Sequence, residues 1–458
     1  MQLTLAALTE LLQTTLDSTD TEFNGLSIDS RTLQPGNLFI AIPGARVDGH
    51  DFLAMAQQNG AVAALVQRKV DSTLPQILVA DTVAALGKMA AFWRKQFNIP
   101  VIAVTGSCGK TTLKNMIASI LTAACGGDAS QVLATTGNFN NHIGLPLSLA
   151  RLNAKHRYAV LEIGMNHPGE IAYLSPMAQP TIAVINNAAA AHLEGVGNIE
   201  GVARAKGEIF LGLSKDGLGI LNYDDPYFEL WRELLKNRDY LTFGVEYAAD
   251  VTAEIPVLAQ SDKQNFVIQT PAGDMAICLP MPGKHNIMNA LAATAATIAI
   301  DIHLAAIKKG LENVPSTAGR LQVHQLAQGI RLIDDTYNAN PSSVEAAAIT
   351  LADQPGVKIL VLGDMRELGS DAEALHTATG EKIRAAGIDY LFTYGELSAA
   401  TAKAYGEKAQ HFHDQDSLAN ALKPFIKPPV TILVKGSRSM KMENVVAKLR
   451  EPKPEYNN

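Results

Sequence analysis

Residues 100–121 read PVIAVTGSCGKTTLKNMIASIL, and the fold turns on them. A short apolar strand ends at Thr105, a glycine-bearing loop follows, and apolar residues then recur at Leu113, Met116, Ile117, Ile120 and Leu121. That i, i+3, i+4, i+7, i+8 spacing is one face of an α-helix. A strand, a glycine loop and a helix in this order cradle phosphate, because glycines let backbone N–H groups converge and the helix N-terminus adds its dipole. The loop suits a triphosphate, with Lys110 reaching the β- and γ-phosphate oxygens, Thr111 able to ligate Mg²⁺, and Gly106, Ser107, Cys108, Gly109 and Thr112 completing the loop. One position departs from the general pattern: Val104 stands where the first glycine is usual, and Gly106 opens the loop instead. Taken alone, G-x-x-G-K-T-T also fits a tight strand-to-helix turn with an exposed lysine.

The same alternation runs through the chain. YAVLEIG, TIAVINN and GLGILNY follow the loop, and IRLIDDT, VKILVLGD, DYLFTYG and VTILVKG come later, with helical segments between them. Strands separated by helices build mostly parallel sheets covered on both faces, so the expected fold class is α/β. Ligands of such sheets lie beyond the carboxyl ends of the strands, which makes Thr105, Glu162, Asn186, Asp335, Asp364 and Lys435 ligand-facing candidates. Breaks fall where a helical segment runs into Pro100 and where VPSTAGR, residues 314–320, separates an alanine-rich helix from a new strand series. Three domains are expected: a small N-terminal α/β domain over 1–83, a central phosphate-loop domain over 84–314 with a mostly parallel sheet flanked by helices, and a C-terminal Rossmann-like α/β domain over 315–452. The length of 458 residues agrees, at about 150 per domain. The last residues, EPKPEYNN, read as a frayed tail.

Composition narrows the function classes. The net charge of −7 argues against a surface built for nucleic acid or anionic lipid, though not against a small phosphorylated ligand held in a local pocket. Cys108, Cys125 and Cys278 lie far apart with no C-x-x-C pair, so neither a disulfide framework nor a zinc knuckle is expected. The N-terminus lacks a basic segment, and no apolar stretch nears the roughly 20 residues of a membrane helix. A reducing cytoplasm is the expected location.

Other residues carry chemistry less clearly. Glu162, a carboxylate inside an apolar strand, is expected to meet a cation. His192 fits a metal ligand, a phosphate contact or a solvated side chain. Lys206, read alone, is a helix-surface lysine. Asn138, Asn140 and Asn141 offer amide donors and acceptors to a polar substrate, or cap turns. His285, Asn286 and Asn289 are either nucleotide contacts or part of a helix cap. Asp335 suits a ribose hydroxyl or a phosphate ligand. Lys435, Ser437 and Arg438, at a strand end, suit a substrate carboxylate.

With these residues assembled, the chain resembles the Mur ligases, ATP-dependent amide ligases that build the peptidoglycan precursor. The TGSCGKTT loop is similar to that family's own phosphate loop, which lacks the first glycine. Four further stretches resemble the family member that adds a dipeptide: DSRTLQPGNLFIA from Asp29, TGNFNNHIGLP from Thr136, DDTYNANPSS from Asp334 and KGSRSMKME from Lys435. The resemblance covers nearly the whole chain. It implies a ligase that joins D-alanyl-D-alanine to UDP-N-acetylmuramoyl-tripeptide through an acyl phosphate, working on small-molecule substrates; nothing in the sequence demands more than a monomer. Asp29, Ser30 and Arg31 would then bind the UDP-sugar, with Asn138, Asn140 and Asn141 toward its peptide. Glu162 and His192 match the family's Mg²⁺ positions, and Lys206 matches a lysine that several members carry as a carbamate. His285, Asn286, Asn289, Arg320 and Asp335 match positions lining the ATP site, and Asn338, Lys435, Ser437 and Arg438 would face the dipeptide.

Three alternatives remain distinct at this level: a sister amide ligase that adds a diamino acid or glutamate, a phosphate-loop motor or switch ATPase, and a nucleotide-binding regulatory module without catalysis. A motor wants an apolar strand ending in Asp or Asp-Glu beside the loop, and VLEIG followed by Met165-Asn166-His167 fits that poorly.

Overall fold

The computed structural model describes residues 1–15, 19–255, 263–327 and 329–450, so the EPKPEYNN tail lies outside the described residues. The stretch that decides the fold forms strand Val101–Thr105 and helix Lys110–Ala124. The strand is fully buried, as expected of an apolar run flanked by helices on both faces.

Six parallel strands make the central sheet, in the order Tyr240–Phe243, Leu218–Asn222, Ile182–Ile185, Val101–Thr105, Tyr158–Glu162 and Val132–Ala134. After Val101–Thr105 the chain first builds toward one edge and then returns to build toward the other. The strand order therefore reverses between Val101–Thr105 and Ile182–Ile185, the place where such sheets open a crevice. One face is packed by helices Lys110–Ala124 and Lys284–Ile298 together with a three-stranded antiparallel sheet (Thr252–Glu254, Gln264–Thr270, Gly273–Leu279). Helices Glu170–Ala178, Ile199–Gly207 and Phe228–Leu235 cover the other.

A second six-stranded sheet runs Gln322–Ala327, Ile330–Asp335, Val430–Lys435, Val357–Gly363, Tyr390–Tyr394 and Ala409–Phe412, with its first strand antiparallel and the rest parallel. Near the N-terminus, four short parallel strands (Leu26–Ser27, Leu38–Ile40, Ala63–Val66, Gln76–Leu78) form a third sheet. Helix Thr82–Arg94 packs Ala85, Leu86 and Met89 into the N-terminal core, while the indole N–H of Trp93 donates to Leu152 O in the central part. The mixed α/β architecture is the one the alternating strands and helices predict. Among the described residues, no helix is long and apolar enough to cross a membrane.

The carboxyl ends of the two large sheets face each other. Across that junction Arg320 Nη2 donates to Thr111 Oγ1 at 3.1 Å, and Asn115 Nδ2 donates to Thr317 Oγ1 at 2.9 Å. Cys108 Sγ sits against the Asn340 side chain, with Nδ2 at 3.2 Å. A cavity of about 630 Å³ lies between the sheets.

Candidate active site

The phosphate loop occupies the strand-order reversal, and the end of the neighbouring strand fixes its shape. Ser107 N donates to Asn187 O (3.1 Å), Cys108 N to Asn187 Oδ1 (2.9 Å), and Asn186 Nδ2 to Cys108 O (3.0 Å). Gly109 holds a left-handed backbone (φ 78°) and packs so closely that a Cβ there would stand 2.6 Å from Asn289 Oδ1 and 2.7 Å from Asn186 Nδ2. Only glycine meets both demands. Asn186 Nδ2 also donates to Asn289 Oδ1 (2.8 Å), Asn289 Nδ2 to Asn286 Oδ1 (3.3 Å), and Asn286 Nδ2 to Pro282 O (2.7 Å). This buried amide chain braces the loop from helix Lys284–Ile298. Asn286 and Asn289 therefore do not cap that helix; its N-cap is Gly283, without a side-chain bond.

Lys110 folds back over its own loop and donates to Gly106 O at 2.6 Å. Burial pushes its ammonium below the usual lysine range, while Glu162 opposes that shift. Parallel register sets Glu162 beside Val104, one residue before the loop strand ends. Its carboxylate is buried and accepts from Thr111 Oγ1 (2.9 Å) and Asn140 Nδ2 (2.8 Å). Hydroxyl and carboxylate thus converge on the cavity beside the phosphate loop, where together they could hold a cation. Mg²⁺ takes one or two protein oxygens and completes its shell with phosphate and water. A hydroxyl–carboxylate pair fits it, and no cluster of three or more His, Cys, Asp or Glu that could cage a metal occurs among the described residues.

Lys206 overturns its surface reading. The side chain is 2% exposed, because helix Ile199–Gly207 turns Val202, Ala203 and Lys206 toward the sheet together. Burial drives its ammonium well below the ordinary lysine range, and Lys110 pushes the same way. Among the described residues no hydrogen bond or ion pair reaches it. His192 lines the cavity, with Nδ1 2.7 Å from Glu367 Oε2 in the turn after strand Val357–Gly363, and it holds that carboxyl below the usual range.

On the opposite wall, register pairs Asp335 with Lys435 on adjacent parallel strands, and Lys435 Nζ donates to Asp335 Oδ2 (2.6 Å) and Asn338 O (2.9 Å). His285 stands near both; burial lowers its imidazole to about 4, so it is neutral at pH 7. The Arg320 guanidinium lies over the Tyr337 ring, 4.2 Å from the centroid.

The loop residues Ser107 to Thr112, Asn138, Asn140, Asn141, Glu162, His192, His285, Asn286, Asn289, Arg320, Asp335, Asn338 and Lys435 all line this one cavity. Gly106, Lys206, Ser437 and Arg438 do not. Ser437 is buried, its hydroxyl accepting from Arg366 N (2.8 Å) and donating to Ala339 O (3.2 Å), and Arg438 is exposed beside Glu443 (3.0 Å). In the N-terminal sheet region Arg31 is exposed and paired with Asp29 (2.7 Å), while Ser30 is buried. Of the strand-end candidates, Thr105 and Asp364 face inward instead; Asp364 accepts from Glu396 N and Ser398 N. Asn187, Asn222, Tyr337 and Asn340 line the cavity without having been singled out. Their signal was present, since each follows or ends a strand.

Comparison with known proteins gives three family matches: "Mur ligase family, catalytic domain" over 22–103, "Mur ligase middle domain" over 104–297 and "Mur ligase, glutamate ligase domain" over 319–438. The UDP-N-acetylmuramoyl-tripeptide–D-alanyl-D-alanine ligase of Escherichia coli is 44% identical over 453 residues, covering 98% of this chain and 99% of that protein. The Bacillus subtilis enzyme of the same name is 38% identical, covering 94% of each. Among solved structures, MurF from Acinetobacter baumannii superposes with a TM-score of 0.92 at 37% identity, covering 99% of both chains. MurF from Thermotoga maritima in complex with ADP gives 0.83 at 27% identity, covering 93% of this chain and 97% of that one.

Proposed function

The chain belongs to the Mur ligase family, and from that premise we infer that it is the ATP-dependent ligase that joins D-alanyl-D-alanine to UDP-N-acetylmuramoyl-tripeptide for peptidoglycan synthesis. The observation that carries the reading is the single cavity in which the phosphate loop, the Thr111–Glu162 pair and the Arg320, Asp335 and Lys435 wall converge. Such a cavity can hold a nucleoside triphosphate against a carboxylate.

The chemistry needs positioning and charge neutralisation more than a protein nucleophile. A carboxylate oxygen of the tripeptide terminus attacks the γ-phosphorus, the bond to the β-bridging oxygen breaks, and acyl phosphate and ADP result. The amine of the dipeptide then attacks the acyl carbon, loses a proton as the amide forms, and expels phosphate. Lys110 exchanges Gly106 O for the β- and γ-oxygens, and the loop N–H groups hold the same phosphates. Arg320 neutralises charge from the opposite wall, and His285 stays neutral so that it donates to or accepts from the nucleotide without adding charge. Asn286 and Asn289 keep the loop open for it. Asn138, Asn140 and Asn141 take the peptide side of the UDP-sugar, and Asp29, Ser30 and Arg31 its nucleotide end. Lys435 and Asn338 face the dipeptide from within the cavity, with Ser437 and Arg438 behind them.

Mg²⁺, when bound, would be held by Thr111 and Glu162 and a second ion by His192 and Lys206; it supplies charge neutralisation between phosphate and carboxylate. Burial favours the uncharged amine of Lys206, the form that adds CO₂, and this supports carbamylation to a metal-binding anion. We assign 1–83 to the UDP-sugar, 84–314 to ATP and 315–452 to the dipeptide, in a cytoplasmic monomer. The test is phosphate release with ATP, Mg²⁺ and both peptide substrates, omitting each in turn. Release should stop without either peptide substrate; release that ignores both would favour a motor or switch ATPase.

A further inference from the structure

His192 and Glu367 meet across the junction of the two large sheets. His192 follows strand Ile182–Ile185 and lines the cavity, whereas Glu367 follows strand Val357–Gly363 and does not. Both are non-glycine residues in left-handed backbone, with φ of 57° and 63°. Residues carrying a Cβ avoid that conformation, and where it persists it marks a position the surroundings enforce, often for function. The turns that carry them touch as well. Helix Leu193–Val196 packs on the turn Gly369–Asp371, and a Cβ on Gly369 (φ 68°) would stand 3.4 Å from Glu194 Cα.

We propose that Glu367 is a positioning residue for His192, set behind the imidazole only when the C-terminal sheet closes on the central one. Nδ1 is the nitrogen turned to the carboxylate, at 2.7 Å, so Nε2 on the far edge of the ring is the one left for a ligand in the cavity. A carboxylate behind a ligating imidazole fixes the ring and strengthens it as a ligand. Nδ1 makes no aligned hydrogen bond among the described residues. The two side chains meet only where the two turns touch, which couples the readiness of His192 to closure. The inference rests on the proposed place of His192 at a cation.

Mn²⁺ serves as the probe, its binding to the full chain in the presence of ADP read by electron paramagnetic resonance. Glu367→Ala and Glu367→Gln should each weaken binding about 10-fold, the low end for loss of such a partner. Glu367→Asp should recover part of it, and Glu367→Ala should add nothing in a His192→Ala background. Thermal unfolding of each variant checks that the fold is kept. If His192→Ala weakens binding but Glu367→Ala and Glu367→Gln do not, the Glu367 proposal falls alone. If His192→Ala itself binds Mn²⁺ like the wild type, the cation reading of His192 falls and takes this proposal with it. A full further loss in the double variant also overturns it, because Glu367 would then act without His192.

Discussion

Gly109→Ala separates backbone strain from packing in the phosphate loop. At φ 78° an alanine pays the left-handed penalty, about 1–2 kcal/mol. Its Cβ would also stand 2.6 Å from Asn289 Oδ1 and 2.7 Å from Asn186 Nδ2, the two atoms of one buried hydrogen bond. Forcing them apart loses that bond and leaves amide groups unsatisfied, a further ~1–3 kcal/mol. Together these come to about 2–5 kcal/mol, which at roughly 2–4 °C per kcal/mol for domains of this size lowers the midpoint of thermal unfolding by about 4–20 °C. Adding Asn289→Ala removes one obstructing atom and already lacks the bond, so Gly109→Ala should cost less in that background, with the strain and the Asn186 contact remaining. Calorimetry of the four proteins gives the cycle, and titration with ADP gives the effect on the loop as a binding site. Wild-type unfolding in Gly109→Ala, or an undiminished cost in the Asn289→Ala background, refutes the reasoning.

Lys110→Ala should abolish ATP-dependent ligation and keep the wild-type circular dichroism spectrum, since among the described residues the ammonium bonds to its own loop alone; near-normal turnover would remove the phosphate-loop assignment. Lys206→Ala should be inactive and partly rescued by small carboxylic acids, and an intact mass showing an unmodified, active lysine would dismiss the carbamate. His285, lowered from 6.5 to about 4 by burial, binds fewer protons folded than unfolded between those values. Its contribution to stability is therefore complete above about 6.5 and falls as pH drops toward 4. Urea midpoints at pH 7 and pH 5 should differ more for the wild type than for His285→Gln, and equal differences would count against the burial argument.

The strand–loop–helix of residues 100–121 was legible because its local period, glycines and apolar face all agree. Glu162 was legible for a similar reason: a carboxylate in an apolar strand demands a partner. Lys206 was misread from its charge, although its spacing was informative. It lies four residues after Val202 and three after Ala203, on the buried face of the helix. Asn286 and Asn289 look like capping residues in sequence, and only the approach of the phosphate loop gives them their bracing role. Asp364 follows a strand end directly, much as Asp335 closes one, but the turn after Tyr390–Tyr394 supplies backbone N–H groups that claim it. Glu367 carries no local signal, because its partner His192 lies on a turn far away in sequence, beyond a strand of the other large sheet.

Carboxylate activation in this cavity is the central claim, and a heavy-oxygen label in the terminal carboxylate of the tripeptide tests it most directly. Attack on the γ-phosphorus makes a carboxylate oxygen the bridge of the acyl phosphate, and attack of the amine on carbon then leaves that oxygen with phosphorus. Mass spectrometry of the released phosphate should therefore find one labelled oxygen for each amide formed. Phosphate that carries no label while amide accumulates would contradict the account.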